Sequence, residues 1–182
     1  MKNKIITLLL FILSSTSSAL SIGDYAPNFS LPDQNGEFKS LKQHRNNWVI
    51  IYFYPMDDTP GCTTEACSFR DATDHIIAKN AVIYGVSIDS VESHKKFSKK
   101  YTLPFSLLSD INGEVSKNYD SLGSFLTWKV AIRNTFIINP AGIIVKKYTD
   151  VNPKKHAQEV LKDLMTLQSN NKRKVLTYHA QF

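Results

Sequence analysis

Cysteine, glycine and proline are scarce in this chain of 182 residues, which holds two Cys, seven Gly and seven Pro. So few glycines exclude a collagen-like fibre, and an aromatic fraction of 11% argues against a disordered chain. With 42% hydrophobic residues the chain can bury one ordinary core, but it is too short for two sizeable domains. We therefore expect one packed domain.

Long hydrophobic runs are also lacking. The apolar stretch 5–13 has nine residues, whereas a membrane-spanning helix needs about 20. It follows a positively charged start and precedes the small residues 14–19, an order that predicts a secretory signal peptide over residues 1–19, cleaved near Ala19. The alternative is an uncleaved anchor. We expect an exported, soluble and periplasmic protein with no membrane contact after cleavage.

Acidic residues are outnumbered, with 16 Asp and Glu against 22 Lys and Arg, and the formal net charge is +6. The excess lies at the ends of the chain. Removing residues 1–19 takes away two lysines and leaves +4, and Lys172–Lys174 account for three more positive charges. The folded region is therefore close to neutral, which favours solvated termini over a surface that binds nucleic acid.

Apolar, β-prone runs alternate with segments of helical periodicity along the middle of the chain. The predicted strands are 48–54, 81–88, 105–108 and a hairpin of 135–139 with 143–148. The predicted helices are 60–78, 91–101, 113–119 and 153–167. An extended segment with a turn at Asn35-Gly36 precedes them. This order indicates an α/β, three-layer sandwich with a mixed central sheet over residues 20–167 and a loose, basic C-terminal tail over 168–182.

The two cysteines lie only five positions apart, at Cys62 and Cys67. A crosslink stabilises most when it closes a long loop, and this pair would close almost none. Cys62 also falls in the first turn of the predicted helix, after Thr59 as the cap and Pro60 at the first helical position. Unsatisfied backbone N–H groups and the helix dipole favour a thiolate there, so the pair indicates reactivity more than scaffolding.

Helix geometry restricts how the two sulfurs could meet. Five residues advance a helix by about 7.5 Å and turn it by about 140°. A disulfide needs Cα atoms within about 7 Å and converging side chains, so a bond between Cys62 and Cys67 requires the first turns to unwind. We expect a redox switch between a wound reduced state and a locally unwound oxidised state. The alternative is two free thiols that never meet.

These residues resemble a known family, the peroxiredoxins of the Q type, also called bacterioferritin comigratory proteins. Pro55, Thr59 and Cys62 match the signature Pro-x-x-x-Thr-x-x-Cys, and Cys67 matches the resolving position of members that keep both thiols in one helix. Arg133, in Arg-Asn-Thr-Phe-Ile-Ile-Asn-Pro, stands where the family places its active-site arginine. The resemblance covers about residues 22–167.

The resemblance implies a thioredoxin-like fold and a thiol peroxidase without metal or organic cofactor. Cys62 would attack hydrogen peroxide or organic hydroperoxides and become a sulfenic acid, and Cys67 would then condense with it. Thr59 would hydrogen-bond the sulfur and the incoming oxygen, Arg133 would hold the thiolate and polarise the O–O bond, and Pro55 would shield the pocket. A thioredoxin-like dithiol would reduce the disulfide.

Each supporting residue has a simpler interpretation. Pro55 could only end a strand, Thr59 could only cap a helix, and Arg133 could be an ordinary surface residue. Glu65 is expected to be an exposed helix residue, with a hydrogen bond to Arg133 as the alternative. No chemistry is assigned to the scattered histidines: His44, His75, His94, His156 and His179.

Two other function classes fit the same fold. An exported copper chaperone would use the two thiolates as soft ligands for cuprous ion, although these cysteines are spread along a helix and have no obvious His partner. A disulfide exchanger normally has two residues between its cysteines, and this chain has four. Q-type enzymes are commonly cytosolic, so the export signal leaves the reductant open. The resemblance favours a monomer.

Overall fold

The structure is a computed structural model that describes residues 19–149 and 151–179. The predicted signal peptide therefore lies outside the described residues, apart from Ala19. The central sheet contains β3 (Trp48–Phe53), β4 (Ala81–Ser87), β5 (Ser106–Ser109), β8 (Thr135–Ile138) and β9 (Ile144–Tyr148). Two small hairpins add β1 (Ser30–Pro32) with β2 (Phe38–Ser40), and β6 (Leu122–Phe125) with β7 (Trp128–Ala131). The helices are α1 (Pro60–Ile77), α2 (Val91–Tyr101), α3 (Glu114–Asn118), α4 (His156–His179) and a short 3-10 helix (Leu41–His44).

The sheet has the order β5-β4-β3-β8-β9 and is mixed. Strands β3, β4 and β5 are parallel, whereas β8 is antiparallel to both β3 and β9. Every residue of β3 is buried, because this central strand is covered on both faces. Alternate side chains divide the core: Ile50 and Tyr52 pack with α1 and α4, while Val49 and Ile51 pack with α3 and Phe29. The predicted three-layer α/β sandwich is confirmed.

Most predicted elements are present, and β5, α1 and α2 differ from prediction by at most one residue at each end. The short strands β1 and β2 and the 3-10 helix were not predicted, and α4 begins at residue 156 instead of 153. Two larger features also differ. The exposed hairpin of β6 and β7 was not predicted, because Phe125 and Trp128 point to solvent and the alternation of a half-buried strand is missing. The second difference concerns the C-terminal tail.

The expected loose tail from residue 168 is wrong as a description of the chain up to 179, because α4 continues to His179. Leu167 packs against the core, and the Gln168 side chain donates a hydrogen bond of 2.6 Å to the carbonyl oxygen of Lys79, just beyond α1. These contacts order the helix past the predicted end at residue 167. Within the described residues, every helix is too short or too polar to cross a bilayer.

Glycine is required at position 85 of β4, which lies opposite Tyr52 of β3 in the parallel ladder. A Cβ atom at position 85 would lie 2.7 Å from the Tyr52 hydroxyl oxygen and 2.9 Å from Leu107 Cδ2. The Tyr52 ring is fully buried and stacks on Phe69 with ring centroids 4.8 Å apart. It has no space to move aside without disturbing the close-packed core.

We expect the substitution Gly85→Ala to lower the free energy of unfolding by about 1–3 kcal/mol, because an added methyl group overpacks this core. Urea unfolding followed by circular dichroism measures the change. Gly61→Ala is the control, since its Cβ would meet only Arg133 Nη2 at 3.5 Å, an ordinary contact, and alanine suits a helix better than glycine. Equal stability of the two variants would contradict the packing argument.

Candidate active site

Cys62 lies buried in the first turn of α1, which follows the carboxyl end of strand β3 after a short loop. Thr59 is the extended N-cap residue and Pro60 opens the helix, as the sequence predicts. The side chain of Cys62 is only 2% exposed, so its sulfur lies in a dry environment at the positive end of the helix. A negative charge that develops on this sulfur is stabilised by the helix end.

Arg133 lies against Cys62 although 71 positions separate them in the sequence. Its Nη2 atom donates a hydrogen bond of 3.1 Å to Cys62 Sγ. The arginine precedes β8, and β8 pairs with β3 so that Thr135 is opposite Tyr52. This register places the residues before β8 beside those after β3. Burial alone lowers the pKa of Arg133, but the charges of Glu65 and Cys62 outweigh burial and raise it, so the guanidinium is a permanent cation.

The expectation that Glu65 is exposed is wrong. Its side chain is completely buried, and Oε2 accepts a short hydrogen bond from Arg133 Nη1, while Oε1 has no hydrogen-bond partner. The cause is helical periodicity: Glu65 lies three residues after Cys62 and four before Phe69, on the buried face of α1. That spacing was a signal for burial, but only the partner at Arg133 makes a buried carboxylate tolerable.

The buried carboxyl group of Glu65 has a perturbed protonation equilibrium. Burial raises its pKa from 4.5 to about 7, and the neighbouring Arg133 offsets only part of that effect. Near neutral pH the carboxyl therefore changes charge while it contacts the same guanidinium that contacts Cys62. The contacts form a row from Glu65 through Arg133 to the Cys62 sulfur.

Thr59 and Pro55 lie between the end of β3 and Cys62. Thr59 occupies the N-cap position, but its hydroxyl makes no capping hydrogen bond and donates instead to the carbonyl oxygen of Met56 at 3.1 Å. Pro55 is half-buried two residues beyond the last residue of β3. Both residues therefore lie in the loop that leads to Cys62, and the predicted hydrogen bond from Thr59 to the sulfur is not formed in this conformation.

The loop is anchored by a buried polar cluster that the sequence did not reveal. Asp57 accepts hydrogen bonds from Tyr54 Oη and Ser93 Oγ, both 2.7 Å long, and its Oδ2 lies 2.9 Å from His94 Nδ1. The backbone N–H of Asp57 donates to Asp89 Oδ2 at 2.9 Å. His94, to which no chemistry was assigned, is thus a buried structural partner of the active-site loop. The polar spacing of α2 resembles an exposed face and gives no sign of this role.

Cys67 is half-buried on α1, and both cysteines are free thiols. The intact helix keeps them apart, because five helical residues separate their Cα atoms by more than a disulfide can span. Among the described residues there is no group of three or more His, Cys, Asp or Glu side chains placed to hold a metal ion. The copper-chaperone alternative therefore gains no support from this geometry.

The charge of Glu65 makes stability depend on pH. A folded-state pKa of about 7 exceeds the ordinary 4.5, so its contribution is fully present below pH 4.5 and is lost as pH rises through 7. We expect Glu65→Gln to remove a fall of up to about 3 kcal/mol in unfolding free energy between pH 5 and pH 8. Urea unfolding at both pH values tests this. Glu114→Gln, at an exposed position, is the control, and an unchanged pH slope in Glu65→Gln would contradict the assignment.

Comparisons with known proteins agree with this geometry. A model of the AhpC/TSA family matches residues 22–147. Peroxiredoxin Q of Oryza sativa subsp. japonica, a chloroplastic protein, is 41% identical over 149 residues, covering 81% of this chain and 68% of the relative.

Two solved structures share the fold. A PrxQ mutant from Xylella fastidiosa is 34% identical with a TM-score of 0.78, and the match covers 84% of this chain and 99% of that one. The bacterioferritin comigratory protein of Xanthomonas campestris is 34% identical with a TM-score of 0.72, covering 76% and 90%. The thioredoxin-like fold and the resemblance to the Q type are confirmed. The chain belongs to the AhpC/TSA family, among the Q-type peroxiredoxins, and is a thiol-dependent peroxidase.

Proposed function

We propose that Cys62 is the peroxidatic nucleophile that reduces hydrogen peroxide and organic hydroperoxides. The observation that carries this assignment is the 3.1 Å contact between Arg133 Nη2 and Cys62 Sγ in the first turn of α1. The helix end and the guanidinium both favour a thiolate, which is the form that attacks. Cys67 lacks the first-turn position, so it is the weaker candidate for the attack.

In the first step the Cys62 thiolate attacks the terminal oxygen of the hydroperoxide. The O–O bond breaks, the sulfur becomes a sulfenic acid, and the other oxygen leaves and takes a proton to become water or an alcohol. Arg133 offers its cationic N–H groups to the breaking bond, where negative charge develops. Thr59 turns its hydroxyl from Met56 toward the incoming oxygen, and Pro55 keeps water from the sulfur.

In the second step Cys67 attacks the sulfenic acid, and a Cys62–Cys67 disulfide and water form. The first turns of α1 unwind for this step, because the wound helix holds the two Cα atoms too far apart. A thioredoxin-like dithiol then reduces the disulfide by exchange and restores both thiols. Q-type relatives support a thioredoxin-type reductant. Neither cysteine contacts a cofactor in this cycle.

Organic hydroperoxides are included because the structural report on the Xanthomonas campestris relative concerns alkyl peroxide reduction. Ile132, the residue before Arg133 in the sequence, is 44% exposed and offers an apolar surface to solvent. An alkyl chain that extends from the peroxide would remove such a surface from water.

The protein acts as an exported, periplasmic monomer in this proposal. The N-terminal pattern of residues 1–19 supports export, and the family resemblance supports the monomer. Mass spectrometry of protein purified from a periplasmic fraction would show an N-terminus at Leu20. Retention of residues 1–19, or recovery with the cytoplasm alone, would contradict export.

The roles of the two cysteines are tested by mass spectrometry before and after one equivalent of hydrogen peroxide. We expect the wild type to lose two hydrogens within seconds, Cys67→Ser to accumulate a sulfenic acid, and Cys62→Ser not to react. Dimedone labelling of the Cys67→Ser variant identifies the sulfenic acid. A Cys62→Ser variant that reacts as fast as the wild type would show that the nucleophile lies elsewhere.

The role of Arg133 is tested by stopped-flow measurement of the reaction with peroxide. We expect Arg133→Met to slow the reaction by about 100-fold or more, because it removes the cation that stabilises both the thiolate and the breaking bond. Arg45→Met is the matched control, since Arg45 is exposed and precedes β3 at the opposite end from Cys62. A loss smaller than about threefold in Arg133→Met would contradict the assignment.

A further inference from the structure

Two residues at the C-terminal end of α2 contact Asp58, the residue that precedes Thr59, the N-cap of α1. Lys100 Nζ contacts both carboxylate oxygens of Asp58, at 2.8 Å and 2.6 Å, and Tyr101 Oη donates to Asp58 Oδ1 at 2.7 Å. The Lys100 ammonium also lies 5.1 Å from the centre of the Tyr101 ring. We name these contacts of Lys100 and Tyr101 with Asp58 the α2 clasp. Both hydrogen bonds lower the pKa of Asp58, so the clasp acts on a carboxylate.

Asp58 has an unusual backbone, with φ of +56°. Residues with a Cβ atom adopt this left-handed region uncommonly, although Asp tolerates it better than most. Such a conformation persists where surrounding contacts hold it. In this protein the surrounding contacts are those of the clasp.

The neighbours of Asp58 mark it as the pivot of the loop. On one side, Asp57 is buried and fixed by Tyr54, Ser93 and His94. On the other side, Thr59 begins α1 without a side-chain cap. Asp58 is thus the first exposed residue beyond a fixed anchor and the last residue before the helix cap. A change in its backbone redirects the start of α1 and leaves Asp57 in place.

Tyr101 also contacts the chain on the C-terminal side of the two cysteines. Its carbonyl oxygen accepts a hydrogen bond of 3.1 Å from Arg70 Nη1, three residues after Cys67. One residue of α2 therefore contacts both borders of the segment that contains Cys62 and Cys67. The tyrosine hydroxyl contacts Asp58 before Cys62, and the tyrosine carbonyl oxygen contacts Arg70 after Cys67.

We propose that the α2 clasp holds Asp58 as a closed hinge, and that its opening governs how readily α1 unwinds to join Cys62 to Cys67. This inference rests on the proposed function, since it concerns the second step of that cycle. Lys100 and Tyr101 are positioning residues: they contact neither peroxide nor either sulfur. When the clasp is open, Asp58 leaves the left-handed region and the first turns of α1 lose their fixed start.

The clasp consequently sets the competition between two fates of the sulfenic acid. In one, Cys67 attacks it and the disulfide and water form. In the other, a second hydroperoxide oxidises the sulfenate to a sulfinate and leaves as water or an alcohol, which removes the enzyme from the cycle. A closed clasp keeps the sulfenic acid within the wound helix and prolongs its exposure to peroxide. A weakened clasp favours the disulfide.

The test compares Tyr101→Phe and Lys100→Met with the control Lys99→Met, which removes a neighbouring exposed lysine outside the clasp. Tyr101→Phe keeps both the ring and the carbonyl contact with Arg70. Full-length protein receives a pulse of hydrogen peroxide and is quenched at intervals with acid. Mass spectrometry then gives the amounts of thiol, sulfenic acid, disulfide and sulfinic acid.

We expect both clasp variants to form the disulfide about threefold to fivefold faster than Lys99→Met, as suits the loss of an exposed charged contact. Their sulfinic acid fraction at high peroxide should fall by a similar factor, while the rate of the first step stays unchanged. A merely structural defect would alter the first step as well.

Disulfide formation at equal rates in Tyr101→Phe, Lys100→Met and Lys99→Met would overturn the clasp and leave the proposed function intact. Slower disulfide formation in the clasp variants would overturn it too. Absence of any Cys62–Cys67 disulfide in the wild type would overturn the proposed function and the clasp together.

Discussion

The contact between the Arg133 guanidinium and the Cys62 sulfur is the interaction on which the site depends. It requires the antiparallel pairing of β3 with β8, because neither residue could reach the other from a different strand order. It also requires α1 to begin close to the end of β3, so that Cys62 falls in the first turn. This one hydrogen bond therefore depends both on the sheet topology and on where the helix begins.

That contact brings a cost in buried charge. The cation of Arg133 would be poorly compensated by a thiol alone, and Glu65 supplies the opposing carboxylate from the next turn of α1. This carboxylate is only partly satisfied, since its Oε1 atom is buried without a hydrogen-bond partner. Locally unfavourable groups of this kind are expected where a protein must keep a reactive sulfur in a dry pocket. The surrounding apolar core stabilises an arrangement that the polar groups alone would not.

Much of the fold could be predicted from local signals in the sequence. Helix α2 was predicted with its observed bounds, and its start is fixed by Ser90, whose hydroxyl accepts a hydrogen bond from the N–H of Ser93. Helix α1 and strand β3 follow from periodicity and from Pro60. These features depend on residues close together in the chain, which is why one sequence suffices to predict them.

The rest of the site depends on contacts between distant residues. Arg133 was identified only through a family resemblance, because nothing near it in the sequence marks it as a partner of Cys62. Glu65 was misplaced, since a charged helix residue is exposed by default and its partner lies 68 positions away. His94 was overlooked for the same reason, as its partner Asp57 is 37 positions distant. These roles depend on contacts between residues that are far apart in the sequence. The periodicity of a helix can indicate which of its faces is buried, but not which distant residue will be the partner.

Helix α1 is held unequally at its two ends, and this gives its fraying a direction. At the C-terminal end, Ile76 is buried and Gln168 of α4 ties down the carbonyl group of Lys79. At the N-terminal end, the cap of Thr59 makes no side-chain hydrogen bond, and the preceding Asp58 is held by the solvent-exposed contacts of the α2 clasp. Fluctuations of α1 should therefore begin at its first turn and die out toward α4. We therefore expect the reactive sulfur to lie at the end of the helix where backbone amides exchange fastest with solvent, while the opposite end stays fixed against the sheet.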